Sequence, residues 1–292
     1  MKPPAATVST VVVKPSKWTP GIEAIGTVSA VRGVDLTVET TGVVKTAAVN
    51  AAAVRPFAVG ETLVYDVKAI KFIGINVADL TFTLSRDPAN ENLIIKTEAV
   101  SKGTLLKLFR YSFLQQYESV MDPISLSIIK TTKHDVQKDR VRDSVANFDY
   151  AGKMVTFIEN DPKEPNRPPR RIASDLPGAM NDIVSAIYMV RLRPLEVGAT
   201  FNVPISDSGL VYDIPVRVVS RERMKTALGK IWTVRVEPNV FGPDRLIEQK
   251  GSLVIWFTDD ARHLPVRGRI ETESFKVDVK IRTVSNSAPR AS

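Results

Sequence analysis

The 292-residue sequence predicts a mainly β fold. It reads as a curved antiparallel sheet or barrel-like domain with one amphipathic helix, preceded by a short β-rich N-terminal segment. Three observations predict it. Apolar and polar residues alternate at period two along most of the chain, which gives strands one buried and one wet face. Clusters of turn residues separate the alternating runs. Only one segment spaces its apolar residues as a helix does.

The clearest run is Phe275-Lys276-Val277-Asp278-Val279-Lys280-Ile281-Arg282, apolar at every odd position and charged at every even one. A helix cannot segregate those sets, because its period is 3.6. Similar alternation marks Leu63, Tyr65 and Val67, then Leu80, Phe82 and Leu84. It returns at Leu210, Tyr212, Ile214, Val216 and Val218, and at Trp232, Val234 and Val236. Breaks such as Asp87-Pro88-Ala89-Asn90 and Ser206-Asp207-Ser208-Gly209 lie between the runs. Roughly a dozen strands follow residue 55, and so many must curve or close to limit exposed edges.

The helix is expected at about 180–192. Ile183, Ile187 and Val190 fall on one face, Asn181 or Asp182 is available as N-cap, and Pro194 stops it. Before it, Glu159 to Arg171 is rich in proline and mixed charge and reads as an exposed loop. Residues 1–55 differ from the rest: valine, alanine and threonine dominate, and aromatics are nearly absent. The expected organisation is therefore a leader and linker over 1–55, a β domain over 56–284 and a frayed tail over 285–292.

Composition narrows the chemistry. Apolar residues form 43% and charged residues 25%, as in ordinary globular chains. With no cysteine there can be no disulfide framework, thiol catalysis or thiolate metal site. His134 and His263 are the only histidines, so a His-rich metal centre is not expected, nor is any cofactor. No window approaches the ~18 apolar residues of a membrane-spanning helix, and the first residues lack a secretory h-region. Phosphate-cradling, dinucleotide, nucleophile-elbow and zinc-protease motifs are all absent. The net charge of +8 permits anionic partners. Yet the basic run Lys130, Lys133, Lys138, Arg140, Arg142 has no interleaved aromatics, so nucleic-acid binding is not expected.

Two stretches resemble known families. Val12-Val13-Lys14-Pro15-Ser16-Lys17-Trp18-Thr19-Pro20, Ile25-Gly26-Thr27-Val28-Ser29-Ala30, Val34-Asp35-Leu36 and Gly42-Val43-Val44 resemble the opening of a periplasmic adaptor (membrane fusion protein) of tripartite efflux pumps. The resemblance spans residues 7 to 45 and stops before the family's helical hairpin. From about 56 to 284 the chain resembles the bacterial domain-of-unknown-function family 3108. The residues are Val59-Gly60-Glu61, Tyr117-Glu118-Ser119, Phe148-Asp149, Asp182 to Tyr188 with Arg191, Arg221-Glu222, and Ile255 to Asp260 with Arg262. That resemblance implies a predominantly β domain with a helix at one side, found largely in cell-envelope proteins, and no assigned activity.

The candidate ligand-binding residues are Glu118, Asp182, Tyr188, Arg191, Arg221, Asp259 and Arg262. Tyr188 and Arg191, three apart on a helix, could line the mouth of a β cavity where Arg191 meets an acidic ligand. Alternatively Asp182 caps the helix, while Arg191 complements its C-terminus or pairs with Glu118 or Glu222. The cluster Thr258-Asp259-Asp260-Ala261-Arg262-His263 could offer acid–base groups, or form an Asx-type turn joining strands 253–257 and 266–271. No catalytic residue is singled out.

The function expected is thus a non-enzymatic periplasmic or cell-envelope protein, binding a lipid, an apolar small molecule or an envelope protein partner. The alternatives are an efflux-adaptor component and a hydrolase using Asp259, Asp260 or Glu118.

Overall fold

The computed structural model describes residues 55–69, 75–102 and 113–286, all within one compact unit spanning 52–292. The adaptor-like stretch at 7–45 and most of the leader lie outside the described residues.

Alternation becomes a sheet because each hairpin pairs a strand with the next in sequence. The first eight strands are β1 (Thr62–Ala69), β2 (Ile75–Arg86), β3 (Leu93–Ser101), β4 (Phe113–Met121), β5 (Ile128–Gln137), β6 (Arg140–Asp149), β7 (Met154–Asn160) and β8 (Arg170–Asp175). Helix α1 (Ile183–Arg191) follows. Then come β9 (Thr200–Asp207), β10 (Leu210–Thr226), β11 (Gly229–Pro238), β12 (Gly251–Thr258), β13 (Pro265–Thr272) and β14 (Lys276–Ser285). All fourteen form one sheet in the order 8-7-6-5-4-3-2-1-14-13-12-11-10-9. The chain meanders outward from β1 to one edge, crosses through α1, and meanders back to place β14 beside β1. The long loop after β7 is shorter than composition suggests, because Arg170 and Arg171 already pair with Glu159 and Ile158.

Register shifts at Val64/Tyr65, Val67/Lys68, Val120/Met121, Val218/Ser220 and Trp256/Phe257 bend the sheet. Each adds local twist. The β9–β10 turn uses Ser208 and Gly209, both at positive φ as a two-residue hairpin demands. A Cβ on Gly209 would lie 2.6 Å from Phe157 Cβ and 3.0 Å from Ile172 Cβ, so this turn rests against β7 and β8. The two ends of the sheet therefore touch without pairing, which makes the domain barrel-like.

The crossover also ties the edges. Met180 O accepts from Ile128 N on β5, while Asn181 bridges Ile205 on edge strand β9. The next residue, Asp182, is extended and accepts from Ser185 N, and Ser185 returns a bond to Asp182 N, a complete capping box. A nine-residue helix is marginal alone, so burial holds this one. Val184, Tyr188 and Leu192 pack with a cluster drawn from β1–β7 and β12–β14, and Ala186 and Val190 with one drawn chiefly from β9–β12.

Candidate functional site

The helix is not a lid over the sheet but an insert between its two halves. Toward the C-terminal half the packing leaves a cavity of about 510 Å³. Ile187 and Val190 of α1 face Val203 and Ile205 of β9, Ile214 and Val216 of β10, Leu253 and Ile255 of β12, Ile270 of β13 and Val279 of β14. Leu63, Tyr65, Leu80 and Phe82 of β1 and β2 close the other side, and the polar lining is Tyr65, Gln115, Tyr188, Arg191, Asp207 and Arg267. Two of these carry charge already neutralised. Arg267 makes paired bonds of 2.7 and 2.8 Å to Asp278, and Arg191 is held by an acid from the start of the domain.

That acid is Glu61. Its two carboxylate oxygens accept from Arg191 Nη1 at 2.6 Å and Nη2 at 2.9 Å, with both side chains almost wholly buried (0% and 5% exposed). Arg191 Nη2 also donates to Pro56 O and Nε to Arg262 O. The Phe57 and Tyr188 rings flank the guanidinium, with 5.3 and 5.2 Å from its carbon to their centroids. His263 Nδ1 sits 2.8 Å from Arg191 O. One arginine thus fastens the segment before β1, the end of α1 and the β12–β13 turn. The expected pairing of Arg191 with Glu118 or Glu222 is corrected on this point. Glu118 points the other way across the sheet, 37% exposed and bonded to Lys96, its cross-strand neighbour. Glu222 accepts from Trp256 Nε1.

Asp182 is also buried, and beyond capping α1 it accepts from Ser119 Oγ at 2.5 Å and Thr131 Oγ1 at 2.8 Å. Tyr188 lies edge-on to Phe57, and its buried hydroxyl has no hydrogen-bond partner among the described residues. Burial pushes that hydroxyl far above the usual phenol range; Glu61 adds to the rise and Arg191 opposes it. Tyr65, also buried and also raised by desolvation, donates to Pro265 O at 2.8 Å.

The remaining candidates are on the outer rim. Asp259 pairs with Arg221, and Asp260 takes Arg262 in a two-point contact while accepting from Thr258 Oγ1 and Arg262 N. Burial raises the Asp260 carboxyl, but Thr258 and Arg262 outweigh it and hold it below the usual range. This is an Asx turn, with His263 at φ 42 closing it. So of seven sequence candidates the structure brings Tyr188 and Arg191 to the cavity, and places Glu118, Asp182, Arg221, Asp259 and Arg262 away from it. Among the described residues no group of three or more acids and histidines could hold a metal, and no helix is long and apolar enough to cross a membrane.

Sequence reasoning missed Glu61 as a site residue. It lies 130 positions from its partner, and its one signal is its place in a fragment that carries the family resemblance.

Comparison with known proteins agrees with the fold. A crystal structure of a beta-barrel-like protein of domain of unknown function DUF1849 from Brucella abortus matches with TM-score 0.53 at 10% identity, over 80% of this chain and all of that one. A candidate lipoprotein from Parabacteroides distasonis (TM-score 0.30, 10% identity, 79% and 97% covered) and a candidate exported protein with a YmcC-like fold from Bacteroides fragilis (0.28, 8%, 79% and 98%) match more loosely. No curated protein matches. The model of the DUF3108 family, described as protein of unknown function, covers residues 64–279, and the chain belongs to that family.

Proposed function

We infer that this DUF3108 member is a non-enzymatic binding protein of the cell envelope. Its cavity between α1 and strands β1, β2 and β9–β14 holds one apolar or amphiphilic chain. The observation that carries the reading is the cavity itself. At about 510 Å³ it falls within the range of small-molecule sites, roughly 300–1,000 Å³, and far exceeds the voids of a close-packed core. Its walls are aliphatic apart from the rings of Tyr65, Phe82 and Tyr188, and such a space accepts hydrocarbon. The two arginines that reach it are already paired with Glu61 and Asp278. That leaves the Asp207 carboxylate, bonded to Ser208 Oγ, as the charged group at its edge without an ion-pair partner among the described residues, and disfavours an anionic ligand of high charge. The envelope location rests on the absence of cysteine and on the family resemblance.

Native mass spectrometry of protein purified from its own host tests this. A co-purified lipid mass is expected, and the Ile255→Trp variant, whose indole would occupy the cavity, should fold but carry none. Bare protein from the host, together with failure to take up a fluorescent fatty acid, would discard the reading.

A further inference from the structure

The β10–β11 hairpin outruns the sheet, and its projecting end has an unusual charge pattern. Residues directly opposite on antiparallel strands share a face. The register therefore puts Arg221 with Val234, Arg223 with Trp232, and Lys225 with Lys230 on one side. Val234 is buried, so the arm begins there. Trp232 is 45% exposed, with the Arg221 guanidinium 4.3 Å and that of Arg223 5.9 Å from its ring centroid. Arg221 is neutralised by Asp259. Arg223, Lys225 and Lys230 have no acidic partner among the described residues, and here three such cations share one face with an exposed tryptophan. Lys225 and Lys230 also face each other as a like-charge pair, which weakens a hairpin unless an anion lies between or against them.

We propose that this arm docks on an anionic phospholipid surface. The basic face meets the headgroups, and the Trp232 indole lies at their level. An indole beside guanidinium and ammonium groups is the residue set that settles at a membrane–water interface. On the opposite face Met224, Ile231 and the turn residue Leu228 are partly buried and pack against the core cluster, which fixes the arm with its basic face outward. A single exposed ring offers no succession of stacking platforms, which disfavours nucleic acid. This inference stands apart from the cavity reading and does not need a bound chain.

The test is flotation of the full chain with vesicles of phosphatidylcholine, with and without phosphatidylglycerol. Binding is expected only with the anionic lipid, weakening with salt, and Trp232 emission should shift to the blue. Charge removal in R223S/K225S/K230S should weaken binding on the order of a hundredfold. A single K225T change should stabilise the fold by relieving the like-charge pair, so folding of that variant is assured and its partial loss of binding is readable. The cavity variant Ile255→Trp should float as wild type does. Equal binding to neutral vesicles, undiminished binding by the triple variant, or capture by heparin with no vesicle binding would each overturn the proposal.

Discussion

Replacing Glu61 with Gln should be among the most damaging single polar changes in the domain. It keeps the side chain's size but removes the charge opposite Arg191, whose side chain is 0% exposed. The guanidinium then keeps the carbonyls of Pro56 and Arg262 and one amide oxygen, but no counter-charge. Breaking a buried pair by removing one partner costs about 3–5 kcal/mol, because the other charge stays uncompensated. For a domain of this size, that lowers Tm by roughly 6–20 °C. Urea denaturation followed by circular dichroism measures it. Arg191→Met should cost a similar amount, since Glu61 is then stranded. The double variant should fall well short of the sum, because the two residues act as one unit. Glu118→Gln is the internal control. Its partner Lys96 is largely exposed, so the loss should stay below about 1 kcal/mol. A Glu61→Gln midpoint within 1 kcal/mol of wild type, or strict additivity in the double variant, would refute the reasoning.

Four further outcomes are expected. Asp182→Ala loses the α1 cap and strands the Ser119 and Thr131 hydroxyls, so unfolding free energy should drop by about 3 kcal/mol, read by urea melts. Tyr188→Phe should be neutral or stabilising by up to about 1 kcal/mol, because its hydroxyl is buried without a partner, whereas Tyr65→Phe should cost about 1 kcal/mol through its lost bond to Pro265; equal effects would undo the contrast. Burial raises Asp278, but Arg267 and Lys280 together depress its carboxyl below the usual range. Its contribution is therefore complete above the unfolded-state value of about 3.9 and fades as pH falls through the lower folded value, so wild type and Asp278→Asn should differ at neutral pH and converge in acid melts. Val216→Ile, which adds a methylene facing the cavity, should stabilise by about 0.8 kcal/mol, while Val155→Ile in the filled half should cost about 1–3 kcal/mol, both by thermal melts.

The strands were legible because burial on one face leaves a period-two record in every one of them, and the helix because its spacing broke that record. Where the record misleads, the cause is position along the strand. Leu210, Trp232 and Phe275 sit in apolar slots of alternating runs but are 42%, 45% and 43% exposed, since each lies at a hairpin end beyond the core. The charged row of the Phe275–Arg282 run hides the opposite case. Asp278 is buried on the outer face beneath Arg267, Arg269 and Lys280, which no alternation can announce. Nor could periodicity join Glu61 to Arg191, or β1 to β14. Those contacts close loops of more than a hundred residues, and only the curvature of the assembled sheet decides them.

Curvature also explains where the cavity lies. A fourteen-stranded sheet bent until its ends touch encloses more volume than one nine-residue helix can fill. On the side of β1–β7 the deficit is made up by rings: Phe57, Tyr65, Phe82, Phe148, Phe157 and Tyr188 all belong to that cluster. On the side of β9–β12 the inward residues are chiefly valine and isoleucine, with Phe241 and Phe257 the only aromatic side chains among the buried ones. Short β-branched side chains hold a strand's backbone well but reach less far toward the helix. The space left over is therefore walled by aliphatic side chains toward β9–β14 and closed toward β1–β2 by Leu63, Tyr65, Leu80 and Phe82. Rings reach this space chiefly from one side, where filling it would have needed them on both, and that uneven distribution of aromatic residues is the physical ground for reading the space as a container.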